Sequence, residues 1–200
     1  FSFLSSDATG NNGVVVSSKI DASKIGIDVL KKGGNAIDAA IAVSFALSVT
    51  HPSAGNIGGG GFMMIRLADG SITSIDFREK SPLASYKQMF LDNNGNVIKG
   101  LSTQSILSTG VPGTVSGLGY AHSKYGNMNW KSLVYPSFLL AKYGFSLDYN
   151  NLVLLNNPRI KDKLSKTIDS KHIFTKDSLY VINEIFIQDD LAKTLYRIAE

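Results

Sequence analysis

The residue best suited to chemistry in this chain is an arginine at the far end of an alternating strand pattern. Arg78 follows Ile72-Thr73-Ser74-Ile75-Asp76-Phe77 and precedes Glu79-Lys80-Ser81-Pro82. A guanidinium offers two parallel donors that match a carboxylate, which a lysine ammonium cannot do. Held at a strand end, Arg78 could grip a substrate carboxylate, with Glu79 steadying the guanidinium plane. The competing reading is a surface ion pair with Asp76 or Glu79, which would contribute little. A second feature lies just upstream, the run Gly58-Gly59-Gly60-Gly61. Each glycine adds to the entropy lost on folding, so such a run belongs where side chains do not fit. Two explanations stand: a tight corner packing a strand under a helix, or backbone N–H groups aimed at a ligand. A phosphate loop is excluded because no Gly-Lys-Ser/Thr follows. A dinucleotide fingerprint is excluded because the run leads from a helix into a strand, not from a strand into a helix.

No convincing catalyst accompanies this binding group. The chain has no cysteine, hence no thiol nucleophile, disulfide or thiolate metal site. His51, His122 and His172 lack metal-ligand spacing and are expected to be structural. No Gly-x-Ser-x-Gly elbow occurs, and the carboxylates form no evident acid–base pair. Phe1 cannot serve as an N-terminal nucleophile, since that chemistry needs a hydroxyl or thiol beside the free amine. No catalytic residue, metal or cofactor is therefore expected within this chain.

Composition narrows the class. A 44% hydrophobic and 18% charged content describes a globular chain, and 200 residues suffice for one domain or part of a larger one. The net charge of +4 is mild, and lysines such as Lys31, Lys80, Lys99, Lys131, Lys161 and Lys193 are dispersed. Clustered basic residues with interleaved aromatics are absent, which argues against nucleic acid as a partner. Phe1-Ser2-Phe3-Leu4 has no basic flank of a secretory signal, although a removed signal would leave no trace. The longest apolar stretch, 36–49, is too short for a bilayer and carries Asp38, so it is read as a core helix and no transmembrane segment is expected.

The elements that must position Arg78 follow from periodicity and turn chemistry. Val14-Val15-Val16 reads as a short buried strand. Asp21 stands where an N-cap belongs, Ile25, Val29 and Leu30 follow at helical spacing, and Gly33-Gly34 supplies a stop. Asn35 caps the next helix, with Asp38 in its first turn. Its small apolar residues (Ala36, Ala39, Ala40, Ala42, Ala46) face several directions, as in a helix packed from more than one side. His51-Pro52 ends it. Residues 62–67 and 72–77 flank Asp69-Gly70, the strongest hairpin signal in the chain. Met63, Ile65 and Leu67 share one face, as do Ile75 and Phe77, and Arg78 points opposite to Phe77. Strands and core helices are expected over 13–84 and mostly helices over 85–200, with a turn at Asp92–Asn96 and a loop at Ser108–Pro112. Helices are expected around Val115–His122 and around Leu133–Tyr143, the latter bent or begun late at Pro136. Short surface helices follow in 150–190, and an amphipathic helix carries Leu191, Leu195 and Ile198.

Several segments resemble the gamma-glutamyltranspeptidases in order and spacing: LKKGGNAIDAAIAVSFALSVTHPSAGNIGGGGFMMIR, IDFREKSP, STGVPGTVSGL, KYGNMNW and QDDLAKTLYRIA. They span most of residues 13 to 200, with 161–181 least clear. One departure is Ser18-Lys19-Ile20-Asp21-Ala22, where a His-Pro-like pair would be expected. The resemblance implies an α/β (α+β) fold, the N-terminal nucleophile hydrolase-type four-layer α-β-β-α sandwich, of which this chain supplies only part. It implies a precursor that cuts itself before a threonine beyond Glu200, and residues 1–200 as the N-terminal portion of the large subunit. Such an enzyme cleaves gamma-glutamyl amides such as glutathione and passes the gamma-glutamyl group, through a threonine acyl-enzyme, to water or to an amino acid or peptide. Arg78 maps onto the family's arginine for the substrate α-carboxylate. The partners so implied are gamma-glutamyl peptides, glutathione and the small subunit of the same precursor. The location implied is periplasmic or secreted, and the 200 residues alone are expected to be inactive. The alternatives are a related acylase acting on cephalosporin side chains or poly-gamma-glutamate, and a non-catalytic binding module.

Overall fold

The computed structural model describes residues 9–200, so the Phe1–Leu4 stretch and the Phe1 amine considered above lie outside the described residues. The chain divides into two compact units, one of residues 9–55 with 125–200 and the other Asn56–Lys124.

The first unit is built around one buried helix. Helix α1 spans Ile20–Lys31 and α2 spans Ala36–Thr50. Asp21 does not cap α1; Lys19 occupies the N-cap without a side-chain capping bond, and Asp21 lies in the first turn. The carboxylate still sits at the positive helix end, where it is favourable without capping. Gly33 takes φ +90°, and its N–H and that of Gly34 return to Leu30 and Val29 at 3.1 and 3.0 Å. That is the paired C-terminal closure for which glycine is preferred. Asn35 and Asp38 then form a complete capping box. Asp38 is fully buried, and it is satisfied by backbone N–H groups of Asn35 at 2.9 Å, Asn127 at 3.1 Å and Met128 at 3.3 Å.

Helix α2 buries ten of its residues, among them Ile41, Phe45 and Val49. Small residues let neighbours approach on several sides, so Ala22, Val43 and Ala46 form a cluster with Val15, Ile25, Leu47 and Leu140 packed on it. Val14–Val16 is not a strand. Only Val15 packs inward, whereas Val14 and Val16 are exposed and no ladder partner occurs among the described residues.

Helix α5, Trp130–Tyr143, begins before Pro136 and continues past it without a break. Proline removes one ladder bond, but the buried face of Leu133, Val134, Ser137, Phe138 and Ala141 keeps residues on both sides of it helical. Phe45 meets Trp130 edge-on with ring centroids 5.5 Å apart, and the indole N–H donates to the Ile198 carbonyl at 2.8 Å. A short antiparallel pair, β3 (Phe145–Ser146) with β4 (Ile185–Phe186), was not legible from periodicity because two residues carry no pattern. Three seven-residue helices, α6 (Tyr149–Leu155), α7 (Pro158–Leu164) and α8 (Ile168–Phe174), lie between these strands in sequence. The amphipathic α9, Asp189–Ala199, buries Ala192, Leu195 and Ala199.

In the second unit β1 (Phe62–Arg66) and β2 (Ile72–Asp76) form the antiparallel hairpin expected around Asp69-Gly70. Gly70 takes φ +87°, and the Asp69 carboxylate accepts from the Ser71 N–H at 2.9 Å. Met63 pairs with Ile75 and Ile65 with Thr73 on the inward face. The helical character expected after Pro82 is confined to short turns until Thr114. The intervening chain is mostly turns, with α3 (Leu101–Gln104) and one 3-10 turn (Ile106–Ser108). Polar turn chemistry outweighs helix periodicity there, as at Asp92, whose carboxylate accepts from the Asn94 and Asn96 N–H groups, each at 2.9 Å. Helix α4, Thr114–Tyr125, closes the unit.

Candidate functional site

The site is assembled in the second unit from a strand end and the glycines that admit it. The ladder continues one step past β2, where the Phe77 N–H donates to the Gly61 carbonyl at 3.0 Å. None of Gly58 to Gly61 has positive φ, so conformational freedom does not explain the run. Space does. A Cβ on Gly60 would stand 2.6 Å from the Phe77 carbonyl oxygen and 2.8 Å from Arg78 Cα, and one on Gly61 would stand 2.8 Å from the Phe77 ring. Gly58 has open space and lines a cleft instead. The tight-corner explanation therefore accounts for Gly60 and Gly61.

Phe77 is enclosed from the other side as well. A Cβ on Gly113 would fall 2.0 Å from its carbonyl oxygen, and one on Gly117 would fall 2.2 Å from its ring. The Gly59 carbonyl accepts from Gly113 and Thr114 N–H at 2.8 and 3.1 Å. The Asn56 side-chain oxygen receives the Gly59 N–H at 3.0 Å and the Thr114 hydroxyl at 2.6 Å. Downstream, Lys80 and Val111 exchange both backbone hydrogen bonds, at 2.7 and 3.2 Å. The backbone of Phe77–Lys80 is thus pinned at both ends.

Between those pins Arg78 is exposed and lines two cavities of about 820 and 540 Å³. Asp76 does not pair with its guanidinium; one carboxylate oxygen accepts the Arg78 backbone N–H at 2.9 Å. Among the described residues the guanidinium has no ion pair, and neither Asp76 nor Glu79 engages it. Glu79, Lys80, Tyr86, Lys87 and Phe90 share the larger cavity with Arg78, which is in the size range of small-molecule sites.

His51 ends α2, His122 lies in α4 and His172 in α8, and no group of three potential metal ligands exists among the described residues. Sequence reasoning passed over Lys80 as one of several dispersed lysines and did not single out Lys87. For Lys80 the available signal was its position two residues from Arg78, the spacing that puts side chains on one side wherever chain is extended. Gly113 and Gly117 were also missed as supports, because their partner, Phe77, is distant in sequence.

Solved structures share this arrangement of elements. The crystal structure of Helicobacter pylori gamma-glutamyltranspeptidase superposes with TM-score 0.91 at 44% identity, over 97% of this chain and 56% of that one. The fold is accordingly N-terminal nucleophile hydrolase-type, and this chain supplies part of its sandwich. The gamma-glutamyltranspeptidase family model matches residues 22–200, and the chain belongs to that family. A glutathione hydrolase proenzyme of Pseudomonas sp. (strain A14) is 51% identical over 185 residues, 92% of this chain and 32% of that protein. The glutathione hydrolase proenzyme of Escherichia coli (strain K12) is 43% identical over 198 residues, 94% of this chain and 32% of that protein. The chain spans about a third of the length of these relatives.

Proposed function

We propose that this chain is the N-terminal portion of the large subunit of a gamma-glutamyltransferase that hydrolyses glutathione and related gamma-glutamyl amides. Arg78 binds the α-carboxylate of the gamma-glutamyl donor. The nucleophile is a threonine exposed by self-cleavage, outside this sequence, and the small subunit that carries it is the chain's partner. The threonine hydroxyl attacks the gamma-carbonyl, the amine leaves, and water or an amino acid or peptide takes the acyl group. The protein is exported, periplasmic or secreted; no helix among the described residues is long and apolar enough to cross a membrane.

The observation that carries the role of Arg78 is its uncommitted guanidinium on a doubly pinned backbone at the wall of an 820 Å³ cleft. A positioned cation with no internal carboxylate partner is available to an anionic ligand, and the pinning lowers the entropy lost on binding. The related-acylase alternative has weaker support, because the named relatives at 43 and 51% identity are glutathione hydrolase proenzymes.

Arg78→Ala in the full-length precursor tests the assignment. Losing a desolvated, hydrogen-bonded charge pair costs on the order of 2–5 kcal/mol, so KM for gamma-glutamyl donors should rise by about thirtyfold or more. Self-cleavage should persist, since the arginine acts on the donor and not on the scissile bond. An unchanged KM would remove Arg78 from the site.

A further inference from the structure

The larger cavity carries more positive charge than one α-carboxylate requires. Arg78, Lys80 and Lys87 all line it, against the single carboxylate of Glu79. Among the described residues, the lysines in ion pairs are Lys19, Lys131, Lys166, Lys176 and Lys193; neither Lys80 nor Lys87 is one of them. Lys80 is the better placed of the two. Its backbone is fixed by the double bond to Val111, and, like Arg78, it borders both the 820 and the 540 Å³ cavities. Arg78 and Lys80 therefore present two cations to a ligand in either cavity.

A gamma-glutamyl donor has one carboxylate at its glutamyl end. A donor such as glutathione has a second, at the end of the departing dipeptide. An anilide donor has none there. We propose that Lys80 is a specificity-determining residue, one that favours donors whose leaving peptide ends in a carboxylate over donors with an uncharged leaving group. The inference rests on the proposed function and refines it, because Arg78 meets the carboxylate common to all donors and Lys80 meets the one that differs. A lysine ammonium suits that role, because on its flexible stem it follows a leaving group of variable length.

The test compares kcat/KM for glutathione with kcat/KM for gamma-glutamyl-p-nitroanilide, using the full-length, matured enzyme. Lys80→Met keeps the backbone bridge and the side-chain bulk, and Lys80→Arg keeps the charge. An exposed ion pair supports about a two- to fivefold effect, so the glutathione-to-anilide ratio should fall by that factor in Lys80→Met and recover in Lys80→Arg. The wild-type ratio should also fall as salt is raised from about 0.05 to 0.5 M, because screening weakens the exposed contact. Arg78 contributes equally to both donors and cancels from the ratio, so this arm needs no variant to fold. A ratio indifferent to both salt and Lys80→Met, or an equal loss on both donors, would overturn the role of Lys80. A wild-type enzyme inactive on both donors would instead overturn the proposed function.

Discussion

The two units reach order by different means. In the helical unit, α2 alone buries ten residues, and its buried Asp38 is satisfied by three backbone donors, while Gln188 donates to the Val49 carbonyl at 2.9 Å. In the Asn56–Lys124 unit the buried hydrophobics among the described residues are only Ile65, Leu118 and Ala121. What shapes that unit is backbone packed on backbone, with Gly60 and Gly113 against the Phe77–Arg78 segment. A unit with few buried apolar contacts sits at the low end of local stability. That unit also carries the uncommitted cations and the larger cavity. The proposed binding groups sit on chain held by close approach, while most of the buried apolar side chains among the described residues lie in the other unit.

The largest expected effect tests the helical side of this contrast. Phe45 is fully buried and packs edge-on against Trp130. Phe45→Ala should lower unfolding free energy by about 3–5 kcal/mol, through lost transfer energy plus a cavity that alanine-rich neighbours cannot fill. Denaturant unfolding of the full-length protein measures it. A loss below about 1 kcal/mol would mean that α2 is not the mainstay of its unit.

A smaller effect comes from a buried lysine in the same unit. Lys19 is 6% exposed, and its ammonium donates to Asp148 at 2.7 and 2.8 Å and to Asn151 at 2.8 Å. Asn151 in turn donates to the Thr50 carbonyl at 3.2 Å, tying the starts of α1 and α6 to the end of α2. Burial pushes the Asp148 carboxyl up, but the Lys19 ammonium and the Asn151 N–H outweigh it and hold the group below the usual carboxylate value. A carboxyl depressed in the folded state stabilises above its unfolded pKa, and that stability is lost as pH falls through the folded value. Lys19→Met should destabilise by about 2–3 kcal/mol near neutral pH. The gap from wild type should shrink as pH drops below about 4. A gap independent of pH would show that Lys19 contributes packing and not charge.

Legibility followed the same divide. The cap at Asn35, the stop at Gly33 and the Asp69-Gly70 hairpin were readable because each is a local rule acting within a few residues. The family was readable from the long motifs around them. Lys19 was readable only as a departure from the family pattern, since its partners Asp148 and Asn151 lie far along the chain. Pro136 misled because propensity gave way to a buried face. The candidate site was half legible: guanidinium chemistry singled out Arg78 as a candidate, while the spacing of Lys80 from Arg78 gains meaning only with the cavities that both line.

The smallest effects probe the glycine packing directly, within one helix. Gly117 and Gly119 both lie inside α4, where glycine is unfavourable by about 1 kcal/mol relative to alanine. A Cβ at Gly117 would overlap the Phe77 ring at 2.2 Å, whereas a Cβ at Gly119 meets nothing within 4 Å. Gly117→Ala should therefore cost about 1–3 kcal/mol by overpacking. It should also raise donor KM, because Phe77 cannot shift without moving Arg78. Gly119→Ala should do the opposite, stabilising by about 0.5–1 kcal/mol through reduced chain entropy, with donor KM unmoved. Thermal melts of both variants, read beside their donor KM values, separate helix propensity from close approach. If both substitutions stabilise, Phe77 is not held by the absence of a side chain at Gly117, and the strand end is fixed by something other than close backbone packing.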